Sequence, residues 1–436
     1  MTSGWPQKQM SEVVDFNPRL DKSAYRDDLE VSFVPMAAVE AGSGRMEVSQ
    51  TKDFGTVKKG YTPFREGDVL FAKITPCMEN GKMAVVPKLT NGLGFGSTEF
   101  HVLRPRPDIV PRYVYHFVSN LSFRREAAHY MSGAVGQKRV PTSFLEDALI
   151  PVPPFDQQQR IVAEIEKQFS RLDEAVANLK RVKANLKRYK ASVLKAAVEG
   201  KLTEDWRKAH PNVEPARKLL ERILVERRAK FGQKKERFLT AEGDPPALSP
   251  HSWAICSIDQ IAECLDAKRV PVNKAERAKR GGNIPYYGAN GQVGVIDDYI
   301  FDEPLVLVVE DETFTGRTQA FSYMIRGKSW VNNHAHVLRA TAAVTASYLN
   351  YGLAYYPFIP RTTGSTGRRK LTQRGLMTAP ILLPTLAEQE QIVAEVERRL
   401  SVIEGLEAAV QANLTRADRL RQSILHQAFS GQLACL

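Results

Sequence analysis

The sequence predicts an α+β protein in which two globular modules are separated by two long helices that pair as an antiparallel coiled coil within one chain. Three observations carry this. Residues 150–202 and 381–433 overlay without a gap at an offset of 231, with identical pairs that include Pro153/Pro384, Gln158/Gln389, Ile161/Ile392, Glu164/Glu395, Ala197/Ala428 and Gly200/Gly431; a repeat of this kind governs the whole fold. Each copy holds apolar residues at heptad spacing, Ile165, Leu172, Leu179, Leu186 and Val193 in one and Val396, Ile403, Val410, Ala417 and Ile424 in the other, which is the pattern of a coiled-coil seam. Residues 156–240 carry 22 Lys/Arg against 12 Asp/Glu, whereas 387–436 carry 5 against 7, so a basic helix suits a mildly acidic one across the flanks. Lys183, Lys190, Glu407 and Arg421 interrupt the seam, and an ordinary amphipathic helix packed on its own domain is the competing reading.

In chain order, residues 1–148 read as a first module, with strand-like runs at 68–74, 83–86 and 99–103 and one helix across 112–131. Residues 149–202 are the first repeat helix, opened by Pro151, Pro153 and Pro154 and stopped at Gly200, as helix boundaries require. Residues 203–250 form a helical extension and linker: Trp206 to His210, a break at Pro211 and Pro215, a charged helix near 216–235, then a proline-rich stretch at 243–250. Residues 251–380 are the second module, with strand-like runs at 305–309, 320–325 and 335–338 and a helix near 344–355. Residues 381–436 are the second repeat helix, entered at Pro384 and stopped at Gly431. The modules echo each other: Trp5 and Trp253 open them, His101-Val102-Leu103-Arg104 recurs as His336-Val337-Leu338-Arg339, and a glycine loop at 133–139 aligns with one at 364–370. Tandem duplication with divergence explains that order.

Composition bounds the function. A net charge of +12 and a pI near 9.4 favour a polyanionic partner through non-specific attraction. Cys77, Cys256, Cys264 and Cys435 have no metal-ligand spacing and read as reduced thiols. His334 and His336 share a strand face with no carboxylate or cysteine run beside them, and structural roles are expected for both. Met1 to Met10 lacks an apolar signal core, and the longest strongly apolar run, Pro304 to Val309, is too short to span a bilayer. A soluble cytoplasmic protein with no membrane partner is expected. Asp244-Pro245-Pro246 approaches a methyltransferase motif, but Ala247 stands where an aromatic ring would stack on a flipped base. The 364–370 loop lacks the spacing of a nucleotide-hydrolase phosphate loop. No catalytic residue, no metal site and no cofactor of its own is therefore assigned.

The chain resembles the specificity subunits of type I restriction-modification enzymes, over essentially its whole length. The resemblance rests on Pro63-Phe64, the run from Gly67 to Pro76 and Gly96-Ser97-Thr98-Glu99-Phe100 in the first module. In the second it rests on the runs Ile284 to Gly291 and Trp330 to Val337, and in both helix entries on Pro-x(4)-Gln-x(2)-Ile-Val-Ala-Glu. It implies that each module is a target-recognition domain reading one half of a bipartite, asymmetric DNA site. The paired helices would set the spacing and dock two modification subunits, which methylate adenine with S-adenosylmethionine, and restriction subunits would join through the complex. Ile161 to Val198 is 38 residues, about 57 Å of helix or roughly 17 base pairs. A stand-alone bipartite DNA-binding regulator and a coiled-coil scaffold without DNA binding are the alternatives.

For DNA contact, glycine lets backbone amides approach phosphate while lysine and arginine supply charge. Gly133, Gly136, Lys138 and Arg139 answer this description in the first module, and Gly364, Gly367, Arg368, Arg369 and Lys370 in the second. Base edges call for bidentate donors and acceptors. Candidates are Lys73, Thr75, Glu79, Asn80 and Lys82, then Tyr287, Asn290, Gln292, Thr315 and Arg317, each weighed against a solvated loop residue.

Overall fold

The computed structural model describes residues 4–134, 136–231, 238–244, 250–312, 317, 319–365 and 368–433. The chain divides into two compact units, one comprising Met1–Arg181 with Val410–Leu436 and the other Val182–Ala409. Each repeat helix is 44 residues long, Phe155–Val198 and Leu386–Phe429. Each unit thus holds the first part of one helix and the last part of the other.

Within the first unit this pairing is antiparallel. Ile161, Val162 and Ile165 share a core with Ile424, Leu425 and Ala428, and further along both helices Arg421 pairs with Asp173. Arg421 also lies over the Phe169 ring, 4.3 Å from its centroid, which explains how the seam tolerates a charge: the guanidinium caps an aromatic face and meets a carboxylate. In the second unit, Thr203 and Arg207, just beyond the end of the first repeat helix, both reach Glu388 at the start of the second. Of the seam residues, Ile165, Leu186, Val193, Val396, Ile403, Val410 and Ile424 are buried, and Leu172 and Leu179 are half-buried. Both helices end alike. Gly200 and Gly431 adopt φ of +74° and +82°, and the next N–H reaches back five residues, Lys201 to Ala196 O at 2.9 Å and Gln432 to Gln427 O at 3.0 Å. That is a left-handed glycine cap, which a Cβ would strain.

The two units repeat one topology. In the first, an antiparallel sheet orders Val14–Phe16, Phe100–Pro105, Val69–Ala72 and Met83–Val85, and a second sheet orders Thr51–Asp53, Glu30–Val34, Leu93–Gly96 and Thr62–Arg65. In the second unit the matching sheets are Ala262–Cys264, Ala335–Ala340, Leu305–Val309 and Ser322–Ile325, then Gly291–Ile296, Ile284–Gly288, Lys328–Val331 and Phe301–Asp302. Each second sheet contains one parallel pair. A short ribbon closes each unit beside its helix entry, Gln7–Gln9 with Leu149–Pro151 and Ala254–Ser257 with Pro380–Leu383.

The repeat also keeps its polar clamps. The Gln158 amide accepts from Val110 N at 2.9 Å and donates to Asp108 O and Pro153 O. Gln389 does the same with Thr345 N at 2.8 Å, Ala343 O and Pro384 O. Buried amides satisfied on every side fix the angle at which each helix leaves its module. Tyr113 and Tyr348 donate to Pro151 O and Leu382 O, carbonyls 231 residues apart. The single helix expected across 112–131 is instead two, Pro111–Ser119 and Leu121–His129. Asn120 between them is extended and its side chain accepts from Ser122 N at 3.0 Å, so it caps a new helix rather than continuing the old one. The charged helix expected over 216–235 is described as Ala216–Phe231, and its last expected residues lie outside the described ones. No described helix is long and apolar enough to cross a membrane.

His116, on Pro111–Ser119, is 3 % exposed, and among the described residues neither ring nitrogen has a hydrogen-bond partner. Its ring edges onto Phe169 at 5.8 Å. Burial, aided by Arg112 and Arg421, drives its pKa down to about 3, so the folded state holds it neutral. The unfolded chain takes up a proton below a pH of about 6.5, so stability is intact above that pH and is lost as the pH falls toward 3. At pH 5 the loss amounts to about 2 kcal/mol. In His116→Phe this acid-side loss should vanish: urea unfolding at pH 5 and pH 8 should differ less than in the wild type, by about 2 kcal/mol. An unchanged difference would refute it.

Candidate nucleic-acid interface

In the first module the structure brings the glycine loop against the 73–82 segment. Val140 N–H donates to Lys73 O at 2.9 Å and Thr75 N–H to Lys138 O at 3.0 Å, while Ile74 and Arg139 form an isolated bridge. Gly133 and Gly136 hold φ of +126° and +82°, backbone that only glycine adopts freely. Lys73, Thr75, Lys138 and Arg139 therefore lie side by side, with Lys138 and Asn80 exposed. Two of the basic candidates are engaged internally. Arg139 makes a two-pronged pair with Glu99, at 2.9 and 2.7 Å, and this bond holds the Glu99 carboxyl below the usual range. The Lys82 ammonium donates to Met36 O at 3.0 Å and tethers the loop. Arg124 holds Glu79 by its carbonyl, at 2.5 Å.

The second glycine loop repeats this pairing and carries it further: Thr363 pairs with Lys370 as Ser132 does with Arg139, and Asp311 bridges Lys370 as Ile74 bridges Arg139. Thr362–Ser365 and Arg368–Leu371 pair as a hairpin that extends Asp311–Glu312, and Gly364 sits at φ +104°. Gly367 and Thr315 lie outside the described residues, as does the Arg368 side chain. Lys370 pairs with Glu310 at 2.9 Å, and Arg369 donates to Ile359 O and Thr362 Oγ1. On the Ile284–Gly288/Gly291–Ile296 hairpin, exposed Asn290 accepts from Arg317 at 2.8 Å, while the exposed Gln292 amide donates to Gly294 O in its own strand. Tyr287 is half-buried with its ring 6.2 Å from that of Tyr323. Asn290, Gln292 and Tyr287 thus share one ribbon, and Arg317 is drawn to its tip.

The model of the type I restriction modification DNA specificity domain matches residues 2–188 and 250–415. The chain belongs to that family. Relatives include the EcoAI specificity subunit of Escherichia coli, 28 % identical across 98 % of this chain and 83 % of that one. The EcoEI specificity subunit of the same species is 25 % identical across the same shares. Among solved structures, the HsdS subunit from Thermoanaerobacter tengcongensis superposes with a TM-score of 0.59 at 19 % identity, covering 98 % of this chain and 97 % of that one. A chain from a study of complex assembly and conformational transition in a type I R-M system reaches 0.69 at 20 % identity, covering 98 % of both. This specificity subunit is accordingly a DNA-recognition chain, not a catalytic one.

A histidine fastens the chain just past the glycine loop in both modules of this specificity subunit. His101 Nε2 meets Val140 O at 2.9 Å and His336 Nε2 meets Leu371 O at 2.8 Å; those carbonyls are again 231 apart, each just past its glycine loop. His336 Nδ1 meets the Asp266 carboxylate at 2.5 Å. Burial pushes the Asp266 pKa up, but His336, the Val337 N–H and Arg269 together outweigh it and hold the carboxyl below the usual range. Cys264, Asp266 and His336 offer ligand atoms within 4.8 Å of one another. They do not suit a metal ion: both His336 nitrogens are engaged, and Arg269 already bridges Asp266 and Glu310. Glu99 and Glu310, which position Arg139 and Lys370, were not among the sequence candidates. Glu99 lay within the quoted Gly96–Phe100 motif, and Glu310 directly follows an apolar strand.

Proposed function

We propose that each module of this specificity subunit reads one half of a bipartite, asymmetric DNA site, residues 1–148 one half and 251–380 the other. The paired helices set the unread gap and dock two modification subunits, which bring S-adenosylmethionine and methylate adenine, with restriction subunits joining through the complex in the cytoplasm. One observation supports this above the rest. Duplication has kept the polar groups that brace each module's frame (Gln158/Gln389, Tyr113/Tyr348, His101/His336) while residues set on that frame have changed, Gln137 and Lys138 standing where the second module has Arg368 and Arg369. A chain built to present two different readers in one frame would diverge in this way. Lys73 and Lys138 are assigned to phosphate, and the Asn290, Gln292 and Arg317 group to base edges. Val402 and Leu406, exposed one turn apart on the second repeat helix, suit a docked partner subunit.

Exchanging residues 1–148 for the first module of another specificity subunit tests the reading. Sequencing of methylated positions in host DNA should show one half-site replaced and the other retained. A change in both halves, by a complex that still methylates, would contradict independent readers.

A further inference from the structure

In the second unit the chain covers one of its own surfaces. The stretch 239–244 crosses the end of the Gln373–Met377 helix, where Glu242 N–H donates to Thr378 O at 2.9 Å. Glu242 pairs with Arg374 at 2.5 Å, and Arg361 donates to the Glu242 carbonyl. Its upstream end is fastened by Ser257, which donates to Leu239 O at 2.6 Å, and by Leu239 N–H, which donates to Asp259 at 2.8 Å.

The first unit has the same helix, Thr142–Asp147, 231 residues earlier, and the same ribbon beside it. There, among the described residues, no segment crosses the Asp147 end. A groove of about 470 Å³ lies open instead, floored by Phe117, Phe123, Phe144 and Phe429 and edged by Tyr130 and Leu149. Tyr130 and Leu149 are 58 % and 59 % exposed, an apolar rim of the kind that marks an interaction site. The charge is reversed as well. Where Arg361 and Arg374 meet an acidic occupant in the second unit, Glu126 and Asp147 line the groove of the first.

We propose that this groove receives an extended segment of a protein partner, laid across Asp147 as 239–244 is laid across Thr378, with an apolar side chain on the aromatic floor and a basic one facing Glu126 and Asp147. The inference rests on the internal duplication and is independent of how the modules read DNA.

Two labelled peptides test it on the full chain: Phe-Leu-Thr-Ala-Glu-Gly-Asp, copied from 238–244, and the same peptide with lysine in place of glutamate. In fluorescence anisotropy the lysine peptide should saturate and bind roughly fivefold tighter than the glutamate peptide. Glu126→Arg, at a site exposed enough to leave folding intact by circular dichroism, should invert that order. Failure of both peptides to saturate, or an order unmoved by Glu126→Arg, would overturn the proposal. So would binding that appears only after trimming to residues 4–433, since the groove would then belong to the chain's own ends. Concentration-dependent self-association abolished by Glu126→Arg would overturn it in favour of a second copy.

Discussion

Replacing Glu388 with alanine should destabilise the second unit by about 3–5 kcal/mol, the scale for removing one member of a buried ion pair. The Glu388 side chain is fully buried and accepts from Trp253 Nε1 and Thr203 Oγ1, both at 2.7 Å, while Arg207 pairs with it. It thereby ties three things to the start of the second repeat helix: the strand-opening tryptophan, the chain just past the first repeat helix, and the extension that follows. Alanine would leave the buried Trp253 N–H without its acceptor and the Arg207 guanidinium without its carboxylate, held only by Gly200 O and Thr203 Oγ1, and a buried donor left unpaired carries its full desolvation penalty. Gln157, the counterpart of Glu388 at the 231 offset, is half-buried, so no equivalent loss is expected in the first unit. Urea unfolding followed by tryptophan fluorescence should show an earlier transition for the second unit alone. Glu388→Gln, which keeps one acceptor oxygen, should fall between wild type and alanine. A loss below about 1 kcal/mol, the range of an exposed pair, would show that the node carries no weight.

The architecture was legible because its signals are local and written twice. Heptad spacing, the stop glycines Gly200 and Gly431 and the paired Gln158 and Gln389 all fall within a single alignable stretch. The task of those glutamines was not legible, since their partners Val110 and Thr345 lie 48 and 44 residues upstream. The helix over 112–131 was misjudged because apolar periodicity continues through Asn120, whereas the capping preference of one side chain breaks the backbone there. At the interface, clusters of basic residues pointed to the right loops but not to their free charge. Arg139 and Lys370 are spoken for by Glu99 and Glu310, 40 and 60 residues away. Ion pairing at such range is set by tertiary neighbours that a window of sequence cannot contain. The same holds for both glycine loops, whose pairing with Ile74 in one module and Asp311–Glu312 in the other builds each into a ribbon.

Inserting one heptad into each repeat helix, between Leu172 and Leu186 and between Ile403 and Ala417, should lengthen the unread gap of the DNA site by about three base pairs. Seven residues add about 10 Å of helix, and DNA rises about 3.4 Å per base pair. A heptad returns the apolar positions to the same face, so the seam is kept. Four inserted residues would instead shift it by about 40° and locally unwind the supercoil, and a heptad in only one helix would set the two seams out of register. Most side chains in both stretches are exposed, so the insertion displaces few packed groups. Three base pairs also turn the duplex by roughly 100°, so the lengthened chain meets its second half-site on a rotated face. Affinity should therefore fall even where the longer gap is selected. Methylated positions in host DNA report the gap and filter binding reports the affinity. A folded variant that still methylates the original spacing would show that something other than the helices sets the distance between readers.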